Sequence, residues 1–347
     1  MKQRVVVVDD SAICRALVRQ WLEAEADLEV VGEAADGETA IDVITRLRPA
    51  VATIDLRMPG MSGLEVVTSL MAKAPLPILV LTGAATHEEA GLAFEAVRRG
   101  ALDLLLKPSG LDDDAIRALR ARVRWLATVP VVRHIDGHKP AEPPPAPRRV
   151  LRASGDPVIV GIAASAGGPT ALATVLGALS AELPICLAIV QHLPRGFAPS
   201  FVSFLQARCS LAVRLAEHGL APRAATAVLA PDDRHLELVD GRFALTQGPP
   251  VDGHRPSGTV LLRSLAPLGQ AAIGVVLSGI GRDGADGLRA MHDRHALTFA
   301  QDATSSVVYG MPRAAVEEGG AQQVLPVGAL GDAIAAAVRH PWRRRRP

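Results

Sequence analysis

The amino-acid sequence predicts an α/β protein of two domains, each built around a mainly parallel sheet. Short apolar runs alternate with amphipathic helical segments through both halves of the chain, which is the pattern of parallel strands covered by helices on both faces. A proline-rich stretch separates the two halves. The length of 347 residues also fits two domains, since a domain commonly has roughly 100–200 residues.

The first domain is predicted over residues 1–125 as a doubly wound parallel sheet of five strands. Its strands are expected at the apolar runs 4–8, 28–33, 51–54, 77–81 and 102–106. Helical segments lie between these runs, for instance at 11–24, 38–47 and 88–98. Regular alternation of strand and helix is typical of consecutive βα units.

A linker is predicted at 126–153, followed by a second domain at 154–343. The segment DGHKPAEPPPAPRR has little apolar content and five prolines between Pro140 and Pro147, which is typical of a semi-extended linker. Strands of the second domain are expected at 158–162, 185–190, 227–230, 273–277 and 297–300. An antiparallel hairpin is expected around Asp240 and Gly241, because this dipeptide favours a tight turn.

Composition excludes several classes of protein. A net charge of +1 gives no general attraction to nucleic acid or to membrane surfaces. The sequence has neither a signal-peptide pattern nor an apolar run of the ~18 residues that a membrane helix needs. Cys14, Cys186 and Cys209 are too widely spaced for a disulfide framework. We therefore expect a cytoplasmic protein that neither inserts into membranes nor binds nucleic acid. We also expect a monomer.

Five polar residues follow strands of the first domain. Asp9 and Asp10 come after the first strand, Asp55 after the third, Thr82 after the fourth and Lys107 after the fifth. In an open parallel sheet these positions share the carboxyl edge, where ligands bind. Three carboxylates that converge there suit a hard cation such as Mg²⁺, beside which a carboxylate can accept a phosphoryl group. The alternative is that they are ordinary loop residues and helix caps.

Residues 1–125 resemble the receiver domain of two-component response regulators in the segments VVVVDDS, ATIDLRMPGMSGLE, ILVLTGAA and RRGALDLLLKP. The resemblance implies that Asp55 is phosphorylated and that Thr82 and Lys107 sense the phosphoryl group. It implies Mg²⁺ ligands at Asp9, Asp10, Asp55 and the backbone carbonyl of Arg57. Receivers often have an aromatic residue where this chain has Leu104, so aromatic switching is not expected.

The stretch GIAASAGGPTAL follows the first strand of the second domain and allows two interpretations. A phosphate-binding loop would need G-x-G-x-x-G or G-K-[ST], and neither is present. Alternatively Ser165 is a nucleophile. His192 and Asp283 follow two other strands, so all three side chains are expected at one sheet edge, where histidine activates the serine and aspartate orients the histidine.

Each of these three residues also has a structural alternative. Ser165 or Asp283 could cap the helix that follows it, and His192 could be a buried histidine with satisfied hydrogen bonds. Their shared placement at one edge favours the Ser–His–Asp triad. Backbone donors for an oxyanion hole are expected at Ala166 and in the loop 278–281.

Residues 154–340 resemble the catalytic domain of bacterial chemotaxis methylesterases, which are protein-glutamate methylesterases and glutamine deamidases. The matching segments include VGIAASAGGPTAL, AIVQHLPRGFAPSFVSFL, HRPSGTVLLRSLA and GVVLSGIGRDGADGL. The resemblance implies Ser165 as nucleophile, His192 as base and Asp283 as orienting acid. It also implies backbone oxyanion donors at Ala166 and Ile280. Ala166 and Thr259 depart from the family's usual threonine and aspartate.

The resemblance also implies the activity and its partners. The expected enzyme demethylates glutamyl methyl esters, releasing methanol, and deamidates glutamines on the cytoplasmic helices of chemoreceptors. A chemotaxis histidine kinase would phosphorylate the receiver and activate the hydrolase, whose own site is expected to hold no cofactor. The alternative is a response regulator whose second domain has lost catalysis and acts as a binding module in another chemosensory pathway.

Overall fold

The computed structural model describes residues 2–83, 86–110, 112–129 and 157–339, without the side chain of residue 87. The chain divides into two compact units, Met1–Ala141 and Glu142–Pro347. Most of the predicted linker, residues 130–153, and the end of the second predicted domain, residues 340–343, lie outside the described ranges.

The first unit is the doubly wound five-stranded domain that the sequence predicts. All its strand pairs are parallel, in the order β2-β1-β3-β4-β5. The strands are β1 (Gln3–Val8), β2 (Leu28–Ala34), β3 (Val51–Ile54), β4 (Ile78–Thr82) and β5 (Asp103–Leu106). The helices are α1 (Ala12–Glu23), α2 (Gly37–Leu47), α3 (Gly63–Lys73), α4 (His87–Arg98) and α5 (Asp113–Leu126).

Helix starts and strand burial explain why this sequence forms these elements. Every residue of β3 and β4 is buried, as expected for strands covered by helices on both faces. Helix α1 begins at Ser11, whose hydroxyl accepts from the Cys14 amide. Helix α3 begins with a capping box between Ser62 and Glu65, which satisfies amides that no helical carbonyl can reach.

The second unit combines a seven-stranded sheet with a separate hairpin. Its strands are β6 (Val158–Ala164), β7 (Ile185–Gln191), β8 (Ala212–Leu215), β9 (Thr226–Leu229), β10 (His235–Val239), β11 (Arg242–Thr246), β12 (Ala272–Val276), β13 (Leu297–Gln301) and β14 (Gln323–Leu325). Its helices are α6 (Gly168–Gly177), α7 (Ala198–Gln206), α8 (Gly258–Leu265), α9 (Ala285–Asp293), α10 (Met311–Glu317) and α11 (Val327–Arg339), with a 3₁₀ helix at Ala266–Ala271.

The large sheet has the order β14-β13-β12-β6-β7-β9-β8, and all its strand pairs are parallel. The chain leaves β6 toward β7 on one side and later returns to β12 on the other side. This change of direction is a topological switch point, where ligands bind at the carboxyl ends of strands. Strands β6, β7 and β12 therefore bring their following loops to one edge.

The predicted hairpin is present as the antiparallel pair β10–β11, outside the large sheet. It packs against α8, which in turn packs against β6 and α9. A buried core that includes Leu236, Phe243, Leu262 and Leu288 joins these layers. Within the described ranges, no helix combines the length and apolar character needed to cross a membrane.

Candidate functional site

The second unit brings the three predicted triad residues to one edge of its sheet. Ser165 follows β6 directly, His192 follows β7 directly, and Asp283 lies in the loop between β12 and α9. The strands β12, β6 and β7 are consecutive neighbours in the sheet. All three side chains are largely buried, so their polar atoms need partners within the protein or in a substrate.

The backbone of Ser165 is held on three sides. Its amide donates to the Ser278 carbonyl at 3.0 Å, and its carbonyl accepts from the Gly168 amide at 2.8 Å and from Gln191 Nε2 at 2.7 Å. Its Oγ makes no hydrogen bond to any residue that the structure describes. Helix α6 has no side-chain cap, so the alternative that Ser165 caps this helix is wrong.

His192 is paired with Asp283 through one ring nitrogen only. His192 Nε2 lies 2.8 Å from Asp283 Oδ2, whereas Nδ1 is buried and has no partner among the described residues. The ring stacks on His254, with centroids 3.7 Å apart and an interplanar angle of 17°. The Asp283 carboxylate only accepts, so Nε2 carries a proton and Nδ1 is left as the basic nitrogen.

Asp283 accepts four hydrogen bonds, which use both of its oxygens. Oδ2 accepts from His192 and from the Gly258 amide at 2.6 Å, and Oδ1 accepts from Ser257 Oγ at 2.6 Å and the Thr259 amide at 2.9 Å. Burial alone would raise the pKa of this carboxyl, but the bonds from His192, Ser257 and Thr259 hold its pKa well below the ordinary value. Asp283 is therefore a fixed anion.

These contacts show that Asp283 binds the N-terminus of α8. Gly258 and Thr259 begin α8, so the carboxylate sits at the positive N-terminus of that helix. Helix α9, which follows Asp283 in sequence, has no side-chain cap. The alternative that Asp283 caps the following helix is wrong. Thr259, a departure from the family pattern, accepts from the Gly284 amide at 2.7 Å and so steadies the Asp283 loop.

The two predicted oxyanion donors lie beside Ser165. Neither the Ala166 amide nor the Ile280 amide donates to another residue in the part of the chain that the structure describes. A Cβ at Gly279 would lie 2.9 Å from Ser165 Cβ, so the Ile280 loop approaches the serine closely. The Ala166 carbonyl accepts from Ser278 Oγ at 2.7 Å. This bond fixes the peptide group between Ala166 and Gly167.

Gly167 closes the loop after Ser165 in the left-handed conformation, with a φ of 72°. A Cβ at this position would lie 2.4 Å from Val307 Cβ and 2.8 Å from Ser278 Oγ. The loop therefore needs a residue without a side chain for two reasons, conformation and space.

Gly167→Ala is expected to lower the free energy of unfolding of the second unit by about 2 to 4 kcal/mol, which combines left-handed strain with overpacking. Gly219→Ala is the matched control, because Gly219 has a φ of 81° and a Cβ added there would meet no described atom within 4 Å beyond its chain neighbours. Gly219→Ala should lower the free energy of unfolding by about 1 to 2 kcal/mol, which is the cost of the left-handed conformation alone. Urea unfolding measures both. Equal losses would contradict the packing argument.

The first unit gathers its five predicted residues at the carboxyl edge of its sheet. One carboxylate oxygen from each of Asp9, Asp10 and Asp55 lies within 4.8 Å of the others. Lys107 Nζ lies 2.6 Å from Asp55 Oδ2 and 2.7 Å from Asp9 Oδ2. Asp55 Oδ1 also accepts from the Arg57 amide at 3.2 Å. Oxygen donors at this spacing fit a hard divalent cation.

Burial and neighbouring charges shift the pKa values of Asp55 and Lys107 in opposite directions. Burial raises the pKa of Asp55 more than its contacts with Lys107 lower it. Burial alone would lower the pKa of Lys107, but the Asp55 and Asp9 carboxylates raise it above its ordinary value. Lys107 therefore stays an ammonium ion and partly neutralises the carboxylates.

Thr82 lies at the same edge but has another partner. Its hydroxyl donates to Glu89 Oε2 at 2.7 Å, and Glu89 belongs to α4. The Arg57 guanidinium pairs with Glu89 at 3.2 Å and with Glu88 at 3.0 Å. Leu104, at the position where receivers often have an aromatic residue, is buried.

Sequence reasoning missed the partners of Asp283 and Thr82. Ser257 before an apolar helical segment is a helix-start signal, but nothing in the sequence links it to an aspartate 26 residues away. Glu89 lies in a segment with no distinctive spacing, so its contact with Thr82 depends on tertiary packing.

Comparison with known proteins shows the family of each of the two units. The family model for CheB methylesterase matches residues 160–334, and the response regulator receiver domain model matches residues 5–119. Two curated relatives are called protein-glutamate methylesterase/protein-glutamine glutaminase. One, from Anaeromyxobacter dehalogenans, is 44% identical, and one from Myxococcus xanthus is 38% identical; each alignment covers 97% of both chains.

One solved structure resembles the second unit. The catalytic domain of the CheB methylesterase of Thermotoga maritima is 31% identical with a TM-score of 0.51, and the match covers 53% of this chain and 100% of that one.

Proposed function

This chain belongs to the protein-glutamate methylesterase/protein-glutamine glutaminase family, and from that premise we propose that Ser165, His192 and Asp283 carry out its hydrolysis. The enzyme removes methyl groups from glutamyl methyl esters and deamidates glutamines in proteins. The observation that carries the residue assignment is the His192–Asp283 pair, which leaves His192 Nδ1 unpartnered among the described residues. His192 and Ser165 directly follow two neighbouring strands, β7 and β6.

In the first half-reaction Ser165 Oγ attacks the γ-carbonyl carbon of the substrate side chain. His192 Nδ1 takes the hydroxyl proton, and Asp283 stabilises the resulting imidazolium through Nε2. His192 then gives this proton to the leaving group as the C–O or C–N bond breaks. Methanol leaves from the ester, or ammonia from the amide, and a glutamyl-serine ester remains.

Water completes the cycle by the same proton path. His192 Nδ1 takes a proton from water as the hydroxide attacks the glutamyl-serine carbonyl, and returns it to Ser165 Oγ as that ester bond breaks. The product is a glutamate side chain. No step needs a metal or an organic cofactor.

The amides of Ala166 and Ile280 stabilise the negative oxygen of each tetrahedral intermediate in this proposal. Neither amide donates to another described residue. Ala166 follows Ser165 in sequence, and Gly279, which precedes Ile280, lies close to Ser165. A backbone donor does not depend on side-chain identity, so alanine at position 166 keeps this contribution. One such donor contributes on the order of 10²–10³ in rate in a well-studied hydrolase.

The natural substrates in this proposal are methyl-accepting chemoreceptors. Their methylated glutamates lie on cytoplasmic helices, so the enzyme acts in the cytoplasm, as its cysteine pattern also predicts. A cavity of about 230 Å³ is lined by Gln191 and Leu193, which flank His192, together with Arg255 and Pro256. It offers space beside the triad for a side chain of the receptor.

The first unit regulates this activity through phosphorylation of Asp55 by a chemotaxis histidine kinase. Asp9, Asp10, Asp55 and the Arg57 carbonyl would hold Mg²⁺, and the acidic cluster fits that ion by donor type and spacing. The ion would neutralise charge on the incoming phosphoryl group. Lys107, already in contact with Asp55 Oδ2, would bind a phosphoryl oxygen, and Thr82 would bind another.

Asp55→Asn is expected to abolish the response to a phosphodonor. With Mg²⁺ and acetyl phosphate, methanol release by the unmodified enzyme should rise by about 5- to 150-fold, the range of a typical allosteric coupling. The variant should show no rise, because an amide cannot accept the phosphoryl group.

Asp42→Asn is the matched control, since Asp42 is a surface residue of α2. It should keep the full response, which chelation of Mg²⁺ by EDTA should abolish in both the unmodified enzyme and this control. A phosphodonor response in Asp55→Asn would place the acceptor elsewhere.

A further inference from the structure

His235 is a buried histidine whose two ring nitrogens are both committed. It begins β10 and is 2% exposed. Nε2 lies 3.1 Å from the Pro249 carbonyl, and Nδ1 lies 3.2 Å from the Ser257 amide nitrogen. A carbonyl only accepts and an amide only donates, so the ring is neutral with its proton on Nε2.

Ser257 connects this histidine to the triad acid. It is fully buried, and its amide donates to His235 Nδ1 while its hydroxyl donates to Asp283 Oδ1 at 2.6 Å. The same hydroxyl accepts from the Val260 amide at 3.4 Å and so begins α8. One residue therefore fixes both the start of the helix and one oxygen of Asp283.

The hairpin holds α8 at a second point. The Leu238 amide donates to Ser264 Oγ at 2.9 Å, and Ser264 Oγ donates to the Leu261 carbonyl at 2.7 Å. His235 and Leu238 lie on the same strand, β10, and their partners lie near opposite ends of α8. The hairpin thus sets the position of the helix whose N-terminus binds Asp283.

We propose that His235 is a positioning residue for hydrolysis, and that it acts through Ser257 on Asp283 and so on the orientation of His192. This inference rests on the proposed function of the triad. The hydrogen bonds run from His235 to Ser257, from Ser257 to Asp283 and from Asp283 to His192. Ser257 and His235 are both buried, so in this proposal they act on the reaction only through Asp283.

Two variants separate the bonds that His235 makes. In His235→Asn, Oδ1 can take the place of Nδ1 and accept from the Ser257 amide, while the bond to Pro249 is lost. In His235→Gln, Nε2 can take the place of the ring Nε2 and donate to Pro249, while the bond to Ser257 is lost. Each variant removes one buried hydrogen bond, so their thermal stabilities should be similar.

The kinetic constants of the full-length variants should differ. We expect His235→Gln to lower kcat for methanol release from methylated receptor by about tenfold to a hundredfold, the cost of a small misplacement in an active site, with KM unchanged. We expect His235→Asn to remain within about twofold of the unmodified enzyme. The NMR resonance of the proton between His192 and Asp283 should shift in His235→Gln and not in His235→Asn.

Ser257→Ala provides a second route to the same answer. It removes the hydroxyl bond to Asp283 and should lower kcat over the same range. Adding His235→Gln to Ser257→Ala should cost little more, because both act through one contact; such non-additivity is what a double-mutant cycle measures. If His235→Gln does not fold, an unchanged kcat and proton resonance in Ser257→Ala would overturn the proposal.

Other outcomes also overturn it. Equal kcat losses in His235→Asn and His235→Gln, a change in KM or melting temperature alone, or additive losses in the double variant would each do so. Ser165→Ala, assayed beside them, tests the triad itself. If Ser165→Ala is inactive while the His235 variants are alike, only the positioning role fails.

Discussion

Ser165→Ala is expected to abolish methanol release from methylated chemoreceptors while leaving the fold unchanged. The loss should be at least about 10⁴-fold in kcat, since removing the nucleophile of a hydrolase triad removes nearly all the benefit of the other two residues. Stability should not change, because Ser165 Oγ makes no hydrogen bond to any described residue and alanine keeps the backbone contacts with Ser278, Gly168 and Gln191.

Ser180→Ala is the matched control for this change. Ser180 precedes β7 at the opposite edge of the sheet, where its hydroxyl accepts from the Glu182 amide, so this variant should keep full activity. Methanol release and urea unfolding, measured on the same preparations, separate chemistry from stability. Methanol release at the unmodified rate from Ser165→Ala would show that another residue forms the acyl-enzyme.

Asp283→Asn should have the next largest effect and should reduce both rate and stability. In a serine protease the equivalent change lowers kcat by about 10⁴, because the histidine takes the wrong tautomer. In this protein each oxygen of Asp283 accepts a hydrogen bond from a backbone amide, Oδ2 from Gly258 and Oδ1 from Thr259. In asparagine an NH₂ group, which cannot accept, replaces one of these oxygens. One buried amide of α8 would lose its partner in either orientation, which costs about 1 to 3 kcal/mol.

The pH dependence of stability distinguishes this anion from an ordinary buried carboxyl. The folded-state pKa of Asp283 lies below its ordinary value of 3.8. Its charge therefore stabilises the fold fully above about pH 4, and this contribution is lost as the pH falls through the folded-state pKa. The difference in unfolding free energy between the enzyme and Asp283→Asn should shrink at acidic pH.

Asp286→Asn controls for the loss of a nearby negative charge. Asp286 lies in the first turn of α9 and pairs with Arg263 and Arg282 at the surface, where an ion pair contributes little. Activity and stability should stay close to those of the unmodified enzyme. If Asp283→Asn kept normal kcat per folded molecule, Asp283 would be a structural residue only.

The fold followed from sequence where apolar runs were long and buried. The five strands of the first unit and β6, β7, β12 and β13 of the second appear where the sequence predicts them, with ends that differ by a residue or two. Strands β8 and β14 were not predicted. They are short edge strands with exposed residues, so they lack the continuous apolar run by which buried strands are recognised.

The sequence predicted the candidate site residues that follow strand ends. It did not predict the hydrogen bonds that hold those residues in place. Strand ends indicated Ser165, His192 and Asp283, because parallel topology brings the residues after neighbouring strands together. His235 had no visible partner in the sequence, because its contacts with Pro249 and Ser257 arise only when the hairpin packs on α8. Supporting hydrogen bonds depend on packing angles that no spacing pattern records.

The contact between Thr82 and Glu89 gives the proposed phosphorylation a competitor. In the proposed phosphorylation, Thr82 would give up a hydrogen bond of 2.7 Å to Glu89 in order to bind a phosphoryl oxygen, so it would exchange one partner for another. The net free energy of this exchange would be the difference between the two contacts. Glu89 also pairs with Arg57. The departure of Thr82 would remove one contact of Glu89, so phosphorylation of Asp55 would change the contacts at the start of α4.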